Sequence, residues 1–384
     1  MIIAVDEAIP YWDQAFARCG EVRPFPGRRL RSADVREADA LIVRSVTKVD
    51  RSLLDGSSVQ FVGSATIGMD HVDEEYLGSR GIQYTNAAGC NANAVSEYVV
   101  AALMAAAGRK GWTLHGKSIA IIGVGNVGSR VETKALALGM NVLLCDPPLR
   151  DSTGDPRYLS SLEDVLGADI LTFHVPLATG GPYSTYHMVD RKLLQRLSSR
   201  QFLINSSRGP VFAGSDLRDS LKSGKIEGAV LDVWEGEPEI DLSLFDLLEL
   251  GTPHIAGYSI DGKIRATEMM YEALCRHFQQ PPLWDTHSLY PRVARIKPES
   301  GLLNDDAVRS VVFKAYDIFR DDSSRRALRS LPQDEFRAGF DQLRNKYPFR
   351  PEFRHFIVEL SNESGRTAET IRALGFQVIS AADD

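Results

Sequence analysis

Cysteine is scarce in this chain: Cys19, Cys90, Cys145 and Cys275 lie far apart, with no C-x-x-C pair among them. That spacing supports neither a zinc site nor a disulfide framework, so reduced core thiols and no bound metal are expected. Positive charge is also short. A formal net charge of −7 over 384 residues argues against a nucleic-acid-binding face, which would have to neutralise phosphates. Long hydrophobic runs are missing too. The most apolar stretch, AVSEYVVAALMAAAG, is alanine-rich and interrupted by Glu97, which suits a packed helix rather than a membrane span. The opening MIIAVDEAIPYW has no basic flank and reads as a first strand, not a signal peptide, so a cytoplasmic protein is expected. With 43% hydrophobic and 25% charged residues, the composition is that of a soluble globular chain of two or three domains.

Short β-rich runs alternate with helical patterns along most of the sequence. IIAV, ALIVRS, VQFVGS and IQYTN form one series, and SIAIIG, NVLLCD, DILTFHVP, QFLINSS and GAVLDVW form a second. Such a rhythm predicts α/β architecture with two doubly wound parallel sheets, whose ligands sit at the carboxyl ends of the strands. The run DGKIRATEMMYEALCRHFQQ has helical spacing and stops at Pro281-Pro282, which cannot continue a helix. Beyond it, NDDAVRSVVFKAYDIFRDD and PQDEFRAGFDQLRNKY read as two amphipathic helices ahead of a strand–helix–strand signal. The expected division is a discontinuous substrate domain (1–93 and 258–286), a dinucleotide-binding domain (94–257) and a small C-terminal α/β domain (287–384).

Gly123, Gly125 and Gly128 follow the strand SIAIIG directly and open a helix. In that context the first glycine permits a tight turn, the second lets a pyrophosphate approach the backbone, and the third allows close helix–strand packing. The helix N-terminus then offers free N–H groups to phosphate. Asp146 ends the next strand, where its carboxylate can accept hydrogen bonds from ribose hydroxyls. This favours NAD, although Arg150 nearby keeps NADP open.

Three further strand ends carry polar residues: INSSRGP with Arg208, LDVWEGEP with Glu237, and TPHIAG with His254. With these motifs, residues 1 to about 285 resemble the NAD-dependent D-isomer-specific 2-hydroxyacid dehydrogenases. The resemblance implies a catalytic arginine, glutamate and histidine at Arg208, Glu237 and His254. Oxidising a secondary alcohol needs a base for the hydroxyl proton while hydride leaves the same carbon, and His254 would be that base. Arg208 would hold the substrate carboxylate through its planar fork of donors. Glu237 would pair with His254, fix its tautomer and favour the imidazolium; Glu235 is a rival for that role. The resemblance also implies NAD contacts at Asn126, Val127, Asp146, Val175, Ser206, Ser207, Asp232 and Gly257. Asp232 reads almost as well as a strand-end cap, and Val175 stands where related chains carry threonine.

Specificity is sought in the first sheet. Arg44, Ser45, Thr47 and Lys48 follow one strand, and Ser64 and Thr66 close the next. Cations and hydroxyls together suit an anionic group, since charge-assisted hydrogen bonds to phosphate are stronger than neutral ones. A phosphorylated 2-hydroxy acid is therefore the expected substrate. The alternative is that Arg44 and Lys48 are ordinary solvated loop charges. The stretches IVRSVTKVD, SATIGMDHVD, AAGCNANAVSEYV, GPYSTYHM and HIAGYSIDGK, with the C-terminal extension, resemble a narrower branch of the family. That branch implies substrate contacts at Ser45, Thr66 and Tyr258. A phosphoglycerate-type dehydrogenase is the runner-up. Its regulatory tail would show four strands and two helices, whereas residues 287–384 read as mainly helical with two clear strands. A remote alternative is a corepressor that senses NAD, for which fold-level analogy is the only support. Amphipathic helices in the extension, together with the commonness of two-fold assemblies, predict a homodimer built on that domain.

Overall fold

The computed structural model describes residues 1–159, 161–299, 301–302, 304–348, 350–361 and 365–380. The chain forms two compact units, Met1–Asn91 with Ser259–Pro291, and Ala92–Tyr258 with Arg292–Asp384. Positions 381–384, the end of the expected C-terminal domain, lie outside the described residues.

The first unit is built on a parallel sheet of β1 (Ile2–Asp6), β2 (Glu21–Phe25), β3 (Ala40–Val43), β4 (Phe61–Ser64) and β5 (Gln83–Asn86), in the order β2-β1-β3-β4-β5. This is a doubly wound order of the flavodoxin type. Ala40–Val43 and Phe61–Ser64 are buried at every position, as expected of central strands covered on both faces. Val43 pairs with Ser64, so the segments beginning at Arg44 and Ala65 leave neighbouring strands at the same edge. The helix Ile260–His277, capped by the Ser259 hydroxyl on the Gly262 N–H at 2.9 Å, belongs to this unit.

A seven-stranded parallel sheet forms the second unit: β6 (Ser118–Ile122), β7 (Asn141–Cys145), β8 (Tyr158–Leu159), β9 (Ile170–Phe173), β10 (Phe202–Asn205), β11 (Gly228–Leu231) and β12 (Leu250–Gly251). Their order, β12-β11-β10-β9-β6-β7-β8, is the dinucleotide-binding arrangement with one added strand, and it reverses direction between β6 and β9. Register then aligns the site. Ile122 pairs with Cys145 and Phe173, Phe173 with Asn205, Asn205 with Leu231, and Leu231 with Gly251. The residues one step beyond that row are Gly123, Asp146, His174, Ser206, Asp232 and Thr252. A single line of strand pairing therefore delivers the candidate residues to one edge.

A third parallel sheet, of β13 (Ala294–Ile296), β14 (Phe356–Leu360) and β15 (Gln377–Ser380), follows in the order β13-β14-β15. Its helices share a hydrophobic core with the helix Ala92–Lys110, a single buried cluster that includes Val308, Val311, Val312 and Ile371 along with Val100, Leu103 and Met104. The extension thus finds apolar partners within its own unit. The expected helix over 304–322 is two helices, Asn304–Ala315 and Ile318–Arg326. Asp317 breaks the run because its carboxylate accepts the Phe319 and Arg320 N–H groups and starts a new helix.

Candidate active site

The glycine loop after β6 is shaped by contact. Gly123 has φ +87°, and a side chain there would meet the His174 carbonyl oxygen at 2.7 Å. At Gly125 a side chain would meet nothing within 4 Å, so the loop leaves space on the side where a ligand would approach. The N–H groups of Asn126, Val127 and Gly128 lie at the start of the helix Gly128–Ala137, and the described chain gives them no acceptor. These features fit a dinucleotide pyrophosphate at a helix N-terminus. Asp146 closes the loop from β7: its carboxylate accepts the Val124 N–H at 2.7 Å and the Leu149 N–H at 3.0 Å.

Between β9 and β10 lies a residue that motif reading passed over. His174 bonds the Thr172 hydroxyl at 2.9 Å and faces the Ser206 hydroxyl at 3.4 Å. Burial pushes its pKa down to about 3, so it is a neutral spacer beside Val175. Asn205, also missed, organises the loop after β10. Its side-chain oxygen accepts the Ser207 N–H and hydroxyl, and its amide donates to the Arg208 carbonyl at 3.0 Å. Arg208 Nη1 donates to the Ser207 carbonyl at 2.9 Å. The following Gly209 lies so close to Trp234 that a Cβ would stand 1.9 Å from its carbonyl oxygen, which brings the arginine loop against the loop carrying Glu237.

His254 has φ +57°, in the left-handed region uncommon for side chains. Asp232 accounts for this geometry. Its carbonyl accepts the His254 N–H at 2.7 Å, and its carboxylate accepts the Thr252 hydroxyl, the Ile255 N–H and the Ala256 N–H at 2.6 to 2.9 Å. Burial raises the Asp232 pKa, opposed by His254 and these hydrogen bonds. The reading of Asp232 as a cap thus describes its contacts, and the turn it caps is the one that presents His254.

Glu237 meets the imidazole squarely: both carboxylate oxygens lie 3.0 Å from His254 Nδ1. Burial alone would raise the Glu237 pKa. The charge and hydrogen bond of His254, the charge of Arg344 and the Trp234 N–H outweigh it and leave the carboxyl below its ordinary value. Glu235 is engaged elsewhere, with His187 and the Gly214 N–H. With Nδ1 committed to an anion, Nε2 is the ring nitrogen left for proton transfer.

At the edge of the first sheet, Arg44 Nε donates to the fully buried Asp6 at 3.0 Å. Ser45 is exposed. The neighbours sort differently. Thr47 is buried and donates to the Gly27 carbonyl, and Lys48 is exposed and paired with Asp50 at 2.8 Å. Ser64 joins Thr66 at 2.8 Å and His71 at 3.1 Å. Lys263, on the helix Ile260–His277, was not singled out from sequence; burial and the Arg44 charge push its pKa down to about 8. Among the described residues no group of His, Cys, Asp and Glu could hold a metal ion, and no helix is long and apolar enough to cross a membrane.

A family model described as the NAD-binding domain of D-isomer specific 2-hydroxyacid dehydrogenases matches residues 88–256, and one described as a domain of unknown function matches 291–375. Curated relatives match nearly end to end. The erythronate-4-phosphate dehydrogenase of Pseudomonas entomophila is 43% identical and covers 100% of both chains. That of Escherichia fergusonii is 43% identical over 99% of each. Among solved structures, D-lactate dehydrogenase from Aquifex aeolicus, complexed with NAD and lactic acid, has a TM-score of 0.60 at 21% identity, covering 73% of this chain and 96% of its own. An NAD-dependent formate dehydrogenase from Staphylococcus aureus in complex with NAD has a TM-score of 0.57 at 20% identity, covering 73% and 96%. These two share the fold. With that fold, an NAD-binding domain and full-length relatives in hand, the chain belongs to the erythronate-4-phosphate dehydrogenases, NAD-dependent oxidoreductases of the D-isomer specific 2-hydroxyacid dehydrogenase family.

Proposed function

We propose that the protein oxidises 4-phospho-D-erythronate at C2 to (R)-3-hydroxy-2-oxo-4-phosphobutanoate, a step of pyridoxal 5′-phosphate (vitamin B6) biosynthesis. The observation that carries the reading is the His254–Glu237 pair at the carboxyl edge of the same sheet that bears the glycine loop. When bound, NAD supplies the hydride acceptor. The residues to hold it are Gly123, Gly125, Asn126, Val127 and Gly128 at the pyrophosphate, Asp146 at the ribose, and Val175, Ser206, Ser207, Arg208, Asp232 and Gly257 along the remaining edge.

His254 Nε2 takes the C2 hydroxyl proton, and Glu237 stabilises the imidazolium that results. Arg208 grips the substrate carboxylate and the developing carbonyl oxygen. Arg44, Ser45, Thr66 and Tyr258 recognise the rest of the substrate, with Arg44 facing its phosphate. The three functional segments proposed are a substrate domain (1–93 and 258–286), an NAD domain (94–257) and a C-terminal dimerisation domain (287–384). The enzyme is proposed to work in the cytoplasm as a homodimer. Sedimentation of the full chain and of a chain ending near residue 286 tests the assembly; a truncated chain that remains dimeric places the interface elsewhere.

A turnover screen of phosphorylated and unphosphorylated 2-hydroxy acids with NAD and NADP tests the function. The expected outcome is 4-phosphoerythronate preferred over erythronate and phosphoglycerate, and NAD preferred over NADP. Absence of turnover with all of them would favour a sensing role instead.

A further inference from the structure

The catalytic turn does not stand on the dinucleotide-binding sheet alone. Gly251 ends β12, three residues before His254, and it is gripped on both sides by the helix Ile318–Arg326. Asp322 accepts the Gly251 N–H at 2.9 Å, and Arg325 Nε donates to the Gly251 carbonyl at 2.8 Å. The Arg325 side chain is fully buried against the rings of Phe245 and Trp234.

On the far side of His254 a second arginine takes over. Arg350 Nη2 donates to the Ala256 carbonyl at 3.3 Å while Nη1 pairs with Glu97 at 3.1 Å, and its guanidinium lies 4.2 Å over the Tyr316 ring. Tyr316 and Tyr347 both donate to Asp321. The Tyr347 ring meets the Tyr258 ring edge-on at 5.8 Å. Arg344, on the helix Gln333–Asn345, hydrogen-bonds Tyr258 and lays its charge on Glu237. Backbone before His254 and backbone after it are therefore held by residues of the extension, and Arg344 adds a hydrogen bond to Tyr258 and a charge that favours the Glu237 anion.

We infer that this C-terminal extension is part of the catalytic apparatus, and that Arg344 is a positioning residue that governs proton transfer at His254 through Glu237 and Tyr258. The assignment rests on the proposed dehydrogenation and differs from a purely assembly-forming role. Its physical basis is charge balance. Arg344 supports the Glu237 anion and, as a second cation, opposes accumulation of positive charge on the imidazole. Other groups facing the pair are Asp232 from the end of β11, Tyr258 from the catalytic turn, and Asp341, which faces Arg344 on its own helix. All three remain when Arg344 is replaced.

Because alcohol oxidation needs neutral His254, removing the Arg344 charge should favour the imidazolium and move the acidic limb of the oxidation profile to higher pH. Arg344→Gln should shift it upward by about half a pH unit, with kcat reduced more than KM is raised. Arg344→Lys, which keeps the charge, should leave the limb in place. Glu237→Gln should move it the opposite way. Packing loss has no reason to produce opposite signs at these two positions, nor rescue by lysine. Profiles are measured on the full-length enzyme with NAD and the best substrate of the screen, so a parent enzyme that fails to turn over any hydroxy acid would sink the proposed function before any variant is made. An unmoved limb in Arg344→Gln, or the same shift in Arg344→Lys, would overturn the inference about the extension.

Discussion

The carboxyl edges of the two large sheets carry contrasting chemistry. Along the second, acidic groups are committed to partners: Glu237 to His254, Asp232 to the turn that bears His254, and Asp146 to the glycine loop. Along the first, cations and hydroxyls gather. Arg44 and Lys263 bear on one another, and Ser64 and Thr66 share a hydrogen bond. Proton transfer needs a base fixed in one tautomer and one orientation, which paired carboxylates provide. Anion recognition needs positive potential that a ligand can still satisfy. The contrast predicts that damage to the second edge stops chemistry and damage to the first changes what is accepted.

The largest effect expected is at His254. Removing a general base costs about 10²- to 10⁴-fold in rate, so His254→Gln should lose turnover on that scale while NAD binding, followed by fluorescence titration, stays nearly intact. Near-normal turnover would mean that another residue is the base. Next in size is Arg44. Arg44→Ala should weaken 4-phosphoerythronate by about 10- to 100-fold in kcat/KM and leave erythronate almost untouched, the range spanned by one charged hydrogen bond. Equal losses on both substrates would erase the distinction between the edges.

This contrast was only partly legible in the sequence. Long central strands announced themselves because burial on both faces makes them continuous apolar runs, as in Phe61–Ser64 and Ile170–Phe173. Short edge strands did not. Glu21–Phe25 contains Pro24, tolerated at an edge, and Leu250–Gly251 hides in a run that reads as loop. The glycine loop, Arg208, Glu237 and His254 were readable because their motifs have fixed spacing at strand ends. Asn205 and His71 lay inside the quoted motifs, yet nothing in spacing says which amide or imidazole will turn inward. Lys263 and Arg344 were beyond reach for a different reason. Each acts on a residue far away in sequence, Arg44 and Glu237, and only folding creates those neighbours.

A subtler test of the second edge is the pH profile of Glu237→Gln. The Glu237 carboxyl is held below its ordinary value, so it stays ionised as pH falls well below neutrality, and its contribution to stability is lost only in that acidic range. An acidic limb of oxidation above that range is therefore not set by Glu237 itself. Glutamine removes the anion that favours the imidazolium, and the limb should move down by about one pH unit, with reductive activity falling away at correspondingly lower pH. A limb that stays put would break the pairing.

The smallest predicted signal sharpens the first edge. Lys263 has its pKa pushed down to about 8 by burial and by the Arg44 charge, so at pH 8 it is close to half protonated. A phosphate monoester at that pH is already a dianion, its second pKa being about 6, and it has no proton to release. If the dianion settles beside Arg44, it offsets the repulsion between the two cations and favours charged Lys263. Binding of 4-phosphoerythronate at pH 8 should then draw up to about half a proton per site from solution. Calorimetric titration in two buffers of different ionisation enthalpy reads that number directly. Erythronate, which lacks the phosphate, should take up much less, and Lys263→Met should abolish the uptake while leaving the His254 proton chemistry in place. Uptake that persists in Lys263→Met, or none in the parent enzyme, would place the phosphate away from Arg44 and Lys263 and leave their mutual repulsion without a functional reading.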